Sequence, residues 1–160
     1  MKKKFLLLIV LYYTFIIFSF SAQPASLSSS ESKGIVEKIY EIVFVRGDSP
    51  PIISKDDFVK IVEPLIRKLA HLANFFILAT FMCMYVGTFG KSTLFSFSLV
   101  LLMCLMVAAS DEFHQLFVDG RAGRFIDVMI DLNGAALGNL IFNLPGALLY
   151  KTGEISYEKV

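Results

Sequence analysis

Four stretches of this chain, residues 5–20, 69–89, 94–109 and 125–144, are apolar for about the length a helix needs to cross a bilayer, roughly 17–25 residues. Apolar residues in a soluble domain fall in periodic stripes, because only one face of each helix meets the core. Here they fall in long runs, and the 56% hydrophobic content lies above the roughly 45–50% of soluble domains. Backbone amides in hydrocarbon must be satisfied within their own segment, which leaves helices for runs of this kind. The sequence therefore predicts an all-α fold, an integral membrane four-helix bundle with an amphipathic helical segment between the first and second spans.

The chain divides into four parts. Residues 1–22 form an N-terminal membrane anchor, with Lys2, Lys3 and Lys4 ahead of the first apolar run. The same pattern opens a signal peptide. Cleavage after Ala22 would leave Phe20 at the −3 position, a poor fit, whereas cleavage after Ser21 would leave Ser19, an acceptable one; the anchor is the favoured reading. Residues 23–66 form an extracytoplasmic loop with amphipathic helices. Within it, residues 23–32 read as a Ser-rich loop with Pro24, too polar to pack. Over residues 34–44, Ile35, Ile39, Ile42 and Val43 share a helical face opposite Glu37, Lys38 and Glu41. The run from Asp48 to Pro51 breaks this helix. Ser54, three residues before Asp57, starts the next in the manner of a capping box. Phe58, Ile61, Val62, Leu65, Ile66 and Leu69 continue it, with Pro64 as a kink. Both helices suit packing on the protein or burial in the membrane interface. Residues 67–150 form a three-span core. The turn at 87–93 is too short for anything but an antiparallel return, and Pro145 and Gly146 interrupt the last span. Residues 151–160 form a polar tail.

Four spans place both termini on one side, and the lysines ahead of the first span argue that this side is cytoplasmic. The full tally of basic residues leans the other way, with Lys33, Lys38, Arg46, Lys55, Lys60, Arg67, Lys68, Arg121 and Arg124 opposite. The first span usually dominates orientation, and the last four of these cations stand beside carboxylates. A net charge of +1, with the basic residues scattered and no basic stripe, gives no nucleic-acid signal, so no nucleic-acid partner is expected. Cys83 and Cys104 lie inside apolar runs as small hydrophobes. No Cys or His spacing of a zinc site is present, so neither metal nor cofactor is expected. The expected partner is the lipid bilayer.

The chemistry gathers in three groups. Arg67, His71 and Asn74 are spaced i, i+4, i+7 at the opening of the second span, with Lys68 beside them. Asp111, Glu112, His114 and Gln115 close the third, with Asp111, His114 and Gln115 on one face. Arg121 and Arg124 follow in the loop, and Asp127 and Asp131 open the fourth span. Antiparallel hairpins bring the start of the second span, the end of the third and the start of the fourth to one membrane face. A charge at mid-membrane costs about 2.5–3.5 kcal/mol, less near the interface, so such residues pair, face the bundle interior or reach water. Asp131, deepest of the carboxylates, is the hardest to explain by reaching for water. Three readings remain open: an ion-pair network holding helices together, with no ligand; a site for an anionic lipid headgroup or peptide carboxylate on Arg67, Lys68, Arg121 and Arg124; and catalysis on a lipid-linked or phosphorylated substrate, with His71 and His114 beside the carboxylates doing general acid–base work or ligating a metal, although two histidines and mixed acids fit no recognised metal spacing. Binding is favoured over catalysis. Gly134 and Gly138 make a small-xxx-small contact that supports packing within the bundle first and a homodimer second.

The motifs themselves resemble a known family. R-K-L-A-H at 67–71 followed by N-F-F-I-L at 74–78, D-E-F-H-Q-L-F-V-D-G-R at 111–121, and Asp127 and Asp131 with Gly134 and Gly138 are similar, in the same order, to the signatures of the VanZ-like membrane proteins. The resemblance covers roughly residues 20–144. The sequence departs from the pattern at Asn74 and Phe75, where an acidic–aromatic pair is usual, at Asp119, where proline is common, and at Asp131, where asparagine is frequent. The resemblance implies a bacterial plasma-membrane protein, whose founding relative is associated with lowered susceptibility to glycopeptide antibiotics, teicoplanin especially. It implies, as partners, a cell-wall precursor or the glycopeptide itself. The family's shared polar residues correspond to Arg67, Lys68, His71, Asp111, Glu112, His114, Gln115, Arg121, Asp127 and Asp131.

Overall fold

The computed structural model describes residues 1–45, 52–90 and 93–151. The described residues form helices α1 (Lys2–Ser21), α2 (Ala25–Tyr40), α3 (Lys55–Gly87), α4 (Thr93–Gln115) and α5 (Phe125–Lys151), with a π-helical turn at Glu41–Val45 directly after α2. Four of them, α1, α3, α4 and α5, are long and apolar enough to cross a membrane. The expected all-α bundle with a shorter helix between its first two spans is the fold observed. The break at 48–51 and the tail at 152–160 lie outside the described residues.

Helix α3 is central and longer than expected. At 33 residues it extends about 50 Å, against a hydrocarbon core of about 30 Å. Its first turns are charged and its remainder apolar, so the excess length lies at the N-terminal end. Ser54 caps that end: its Oγ accepts the Asp57 backbone N–H and donates to the Asp57 carboxylate. The helix runs on through Pro64. Proline within a helix costs a backbone bond, and here it stands near the point where the chain changes from polar to apolar.

The expectation of a polar, unpacked loop over residues 23–32 is overturned, because α2 begins at Ala25. The serines are not too polar to pack where a partner is available: Ser32 is buried and donates to the buried Glu63 carboxylate across the α2–α3 contact at 2.9 Å. The packed face of α2 is Ser32, Val36 and Tyr40, at i, i+4, i+8. Tyr40 meets Phe44 and Phe58 and donates to the Ile53 carbonyl. Ile35, Ile42 and Val43 point outward instead. Lys55 closes the elbow by pairing with Glu37 at 3.1 Å and Glu41 at 3.7 Å, both exposed pairs.

The core lies where α1, α3, α4 and α5 meet, with Val10, Ile17, Phe75, Leu78, Met82, Val100, Cys104 and Ala135 among its buried residues. The closest seam is α3 against α5. A methyl group at Gly134 would run into the Leu72 backbone, and one at Gly138 into the Phe76 backbone. Only glycine lets the two backbones approach this closely, and that approach sets the depth at which α5 side chains meet α3. Outward-facing Phe5, Leu8, Leu11, Phe15, Leu102, Met106, Leu140 and Ile141 form an apolar exterior of the kind lipid tails cover. The interruption expected at Pro145 does not occur, since α5 continues to Lys151. The return between α3 and α4 starts at Gly90, whose φ of 62° is a left-handed conformation suited to glycine; residues 91–92 are outside the described set.

Candidate functional site

The polar ends of α3, α4 and α5 meet at one end of the bundle, as antiparallel connections require. Asp111, Glu112, Gln115 and Asp131 are buried there. Gln115 holds the α4 pair in place, donating from Nε2 to Asp111 at 3.0 Å and to Glu112 at 3.2 Å. The other Glu112 oxygen accepts the Arg124 backbone N–H at 2.7 Å, which folds the α4–α5 loop over the end of α4. Gly123 permits this closeness, because a side chain there would strike the Glu112 carbonyl. His71 comes from α3 and stands with Nδ1 at 3.4 Å from Asp131 Oδ1 on α5.

Arg121 is not directed at the carboxylates. Its guanidinium donates to the Gln23 carbonyl at 2.9 Å and the Phe20 carbonyl at 3.3 Å. These belong to the last turn of α1 and the residues after it, where carbonyls lack helical partners and favour a cation. The Ala25 N–H bonds the Asp119 carbonyl beside them, so the α4–α5 loop and the α1–α2 corner are stitched together. Gly120, with φ of 67°, makes the turn between them. Burial lowers the Arg121 pKa from its usual value, with Arg67 as a further cause.

Two cavities open beside this cluster. One, of about 260 Å³, lies between α1, α2 and α3 and is lined by Arg67, His71, Asn74, Asp111 and Arg121 among others. The second, of about 330 Å³, is lined by Arg67, Lys68, His71, Gln115, Arg121, Arg124 and Asp127. His71 and the two arginines are common to both. Four cations therefore line the second cavity against the single carboxylate of Asp127. Of these, Arg67 pairs with Glu63 one turn earlier on α3, and its Nε is buried without a hydrogen-bond partner. Lys68 and Arg124 are exposed, and their side chains make no ion pair among the described residues.

The residues singled out by sequence come to this end of the bundle, with His114 set toward α1. His114, expected to share a face with Asp111 and Gln115, packs its ring edge-on to Phe18 of α1, 6.0 Å between centroids, and borders neither cavity. An α-helix turns 100° per residue, so positions i, i+3 and i+4 span a broad arc, and α1 occupies the side on which His114 falls. Glu63 and Ser32 belong to the site's outer wall and were passed over. The Glu63–Arg67 spacing of i, i+4 was the available signal. Ser32 had none, since its partner lies 31 residues away. The three-helix approach of His71, Glu112 and Asp131, each with one ligand atom within 4.8 Å of the others, is equally invisible to motif spacing.

A bundle of apolar helices with buried carboxylates, a histidine and an arginine-lined cavity at one end defines a multi-pass membrane protein with a polar site at its rim. The VanZ/LLP1 family model matches residues 5–148, nearly the whole chain, and the protein belongs to that family. No curated protein and no solved structure gives a match.

Proposed function

We propose that this protein binds an anionic group, a lipid phosphate or the carboxylate of a cell-wall precursor, in the cavity lined by Arg67, Lys68, Arg121 and Arg124, and thereby alters susceptibility to glycopeptides of the teicoplanin type. The observation that carries the reading is the cavity itself: four cations face one carboxylate, and two of the cations have no internal partner. Guanidinium groups match phosphate and carboxylate bidentately, and a cavity at the membrane rim weakens competition from water. In this reading the site opens on the outer face of the plasma membrane, with both termini in the cytoplasm and α1 retained as an anchor that Arg121 and Tyr13 tie to the core. Tyr13 donates to Asn74 at 3.1 Å.

The variants that test this are Lys68→Ala with Arg124→Ala, because Arg121 also holds the α1–α2 corner and its loss would confuse binding with folding. The double variant should insert and accumulate normally, yet lose most binding to vesicles containing anionic lipid and abolish any teicoplanin phenotype. Binding and phenotype both unchanged in the double variant would overturn the reading. A catalytic reading, with His71 and Glu112 acting on a lipid-linked or phosphorylated substrate, draws support from their proximity to Asp131. Turnover by purified protein that Glu112→Gln abolishes would establish it.

A further inference from the structure

Asp131 is fully buried, and neither of its carboxylate oxygens has a hydrogen-bond partner. A carboxylate so placed loses its hydration, a cost of several kcal/mol, against a single ionic contact with the His71 ring. Its closest basic group, His71 Nδ1 at 3.4 Å, is too distant for a charge-assisted hydrogen bond of about 2.7–2.9 Å. That spacing has another meaning. Donors arranged tetrahedrally on an ion with bonds of about 2.1 Å stand about 3.4 Å from one another. Glu112 completes the group, since one atom from each of His71, Glu112 and Asp131 lies within 4.8 Å of the other two.

We propose that His71, Glu112 and Asp131 hold a divalent transition-metal ion. One imidazole and two carboxylates suit zinc or manganese by donor type, and the ion's charge balances two carboxylates that are otherwise costly in apolar surroundings. The three donors come from α3, α4 and α5, so the ion would bind only once the bundle has closed. His71, with a side chain 25% exposed, stands between the buried carboxylates and both cavities. A further buried oxygen without a partner, Asp111 Oδ1, belongs to a residue lining the first of these cavities. Three protein ligands with a remaining position toward a cavity is the pattern of metal sites that accept an exogenous ligand. The proposal goes beyond anion binding at the cationic cavity and stands or falls separately from it.

The full chain, purified in nanodiscs, would be incubated with zinc or manganese chloride, desalted and assayed for retained metal. Wild type should keep about one ion per chain, and its melting temperature should rise with metal and fall back with chelator. Asp131→Asn should lose affinity by more than the roughly 10–100-fold typical of losing an outer-shell partner, and its melting temperature should ignore both metal and chelator. Lys68→Ala with Arg124→Ala should retain the ion, which separates this site from the anion reading. The manganese EPR spectrum of wild type needs no variant: nitrogen coupling from an imidazole supports the site, and a purely oxygen-ligated ion overturns it. Equal retention by wild type and Asp131→Asn, or no retention and no thermal response in folded wild type, would also overturn it.

Discussion

Asp131 and Asn139 are both fully buried on α5, about 12 Å apart along the helix, yet their surroundings are opposite in kind. Asn139 is bonded at both ends of its amide. Its Nδ2 donates to the Phe97 carbonyl of α4 at 2.9 Å, and its Oδ1 accepts from Cys83 of α3 at 3.1 Å and from Asn143 at 2.9 Å. The Asp131 carboxylate accepts no hydrogen bond and meets only the His71 ring, at 3.4 Å. A satisfied polar group in an apolar bundle is an adhesive between helices. A buried carboxylate that meets only a histidine ring at 3.4 Å is far less well compensated, and that difference, more than the mere presence of polar residues, singles out the rim cluster as the candidate site.

The comparison can be broken at several points. The largest effect should come from the seam both clusters share: Gly134→Val drives a branched side chain into the Leu72 backbone, and folded protein should be nearly absent on detergent size-exclusion chromatography. Normal elution would mean that α3 and α5 do not meet at these glycines. Asn139→Ala should follow, costing about 1–2 kcal/mol in reversible unfolding by denaturant, because the Phe97 carbonyl and the Cys83 thiol lose their partner. Its ligand or metal binding should be untouched. Asp131→Asn should do the reverse. In chelator-treated protein its stability should equal or exceed that of wild type, since it removes a buried carboxylate whose one ionic contact, His71 at 3.4 Å, is long. A loss as large as that of Asn139→Ala would make Asp131 a structural residue. Smallest of all, Glu37→Gln at the exposed pair with Lys55 should leave stability nearly unchanged, and any loss should shrink further in salt.

The rim cluster was largely legible because its logic is one of direction. Once three spans are joined by short turns, the start of one, the end of the next and the start of the last must share a face, and Arg67, His71, Glu112 and Asp131 are carried there without reference to any contact. The α2 region was misread for a complementary reason. Over residues 34–44 the hydrophobic stripe names Ile35, Ile39, Ile42 and Val43 as a common face, suited equally to packing on the protein or to the membrane interface. Where the outside can itself be apolar, the stripe no longer says which face packs, and Ser32, Val36 and Tyr40 took that place. His114 shows the same limit on a smaller scale.

What the sequence determined alone is the number of spans, their alternation and the end of the bundle to which its charges go, because span length and backbone satisfaction in hydrocarbon depend only on composition along the chain. Which atoms then meet was decided by tertiary packing. The Gly134 and Gly138 seam sets how near α5 comes to α3, the Arg121 bonds set where α1 ends, and together they leave Asp131 facing His71 at a spacing set by no local pattern. Differences of a few tenths of an ångström in such distances depend on side chains far apart in sequence, and only the assembled bundle fixes them.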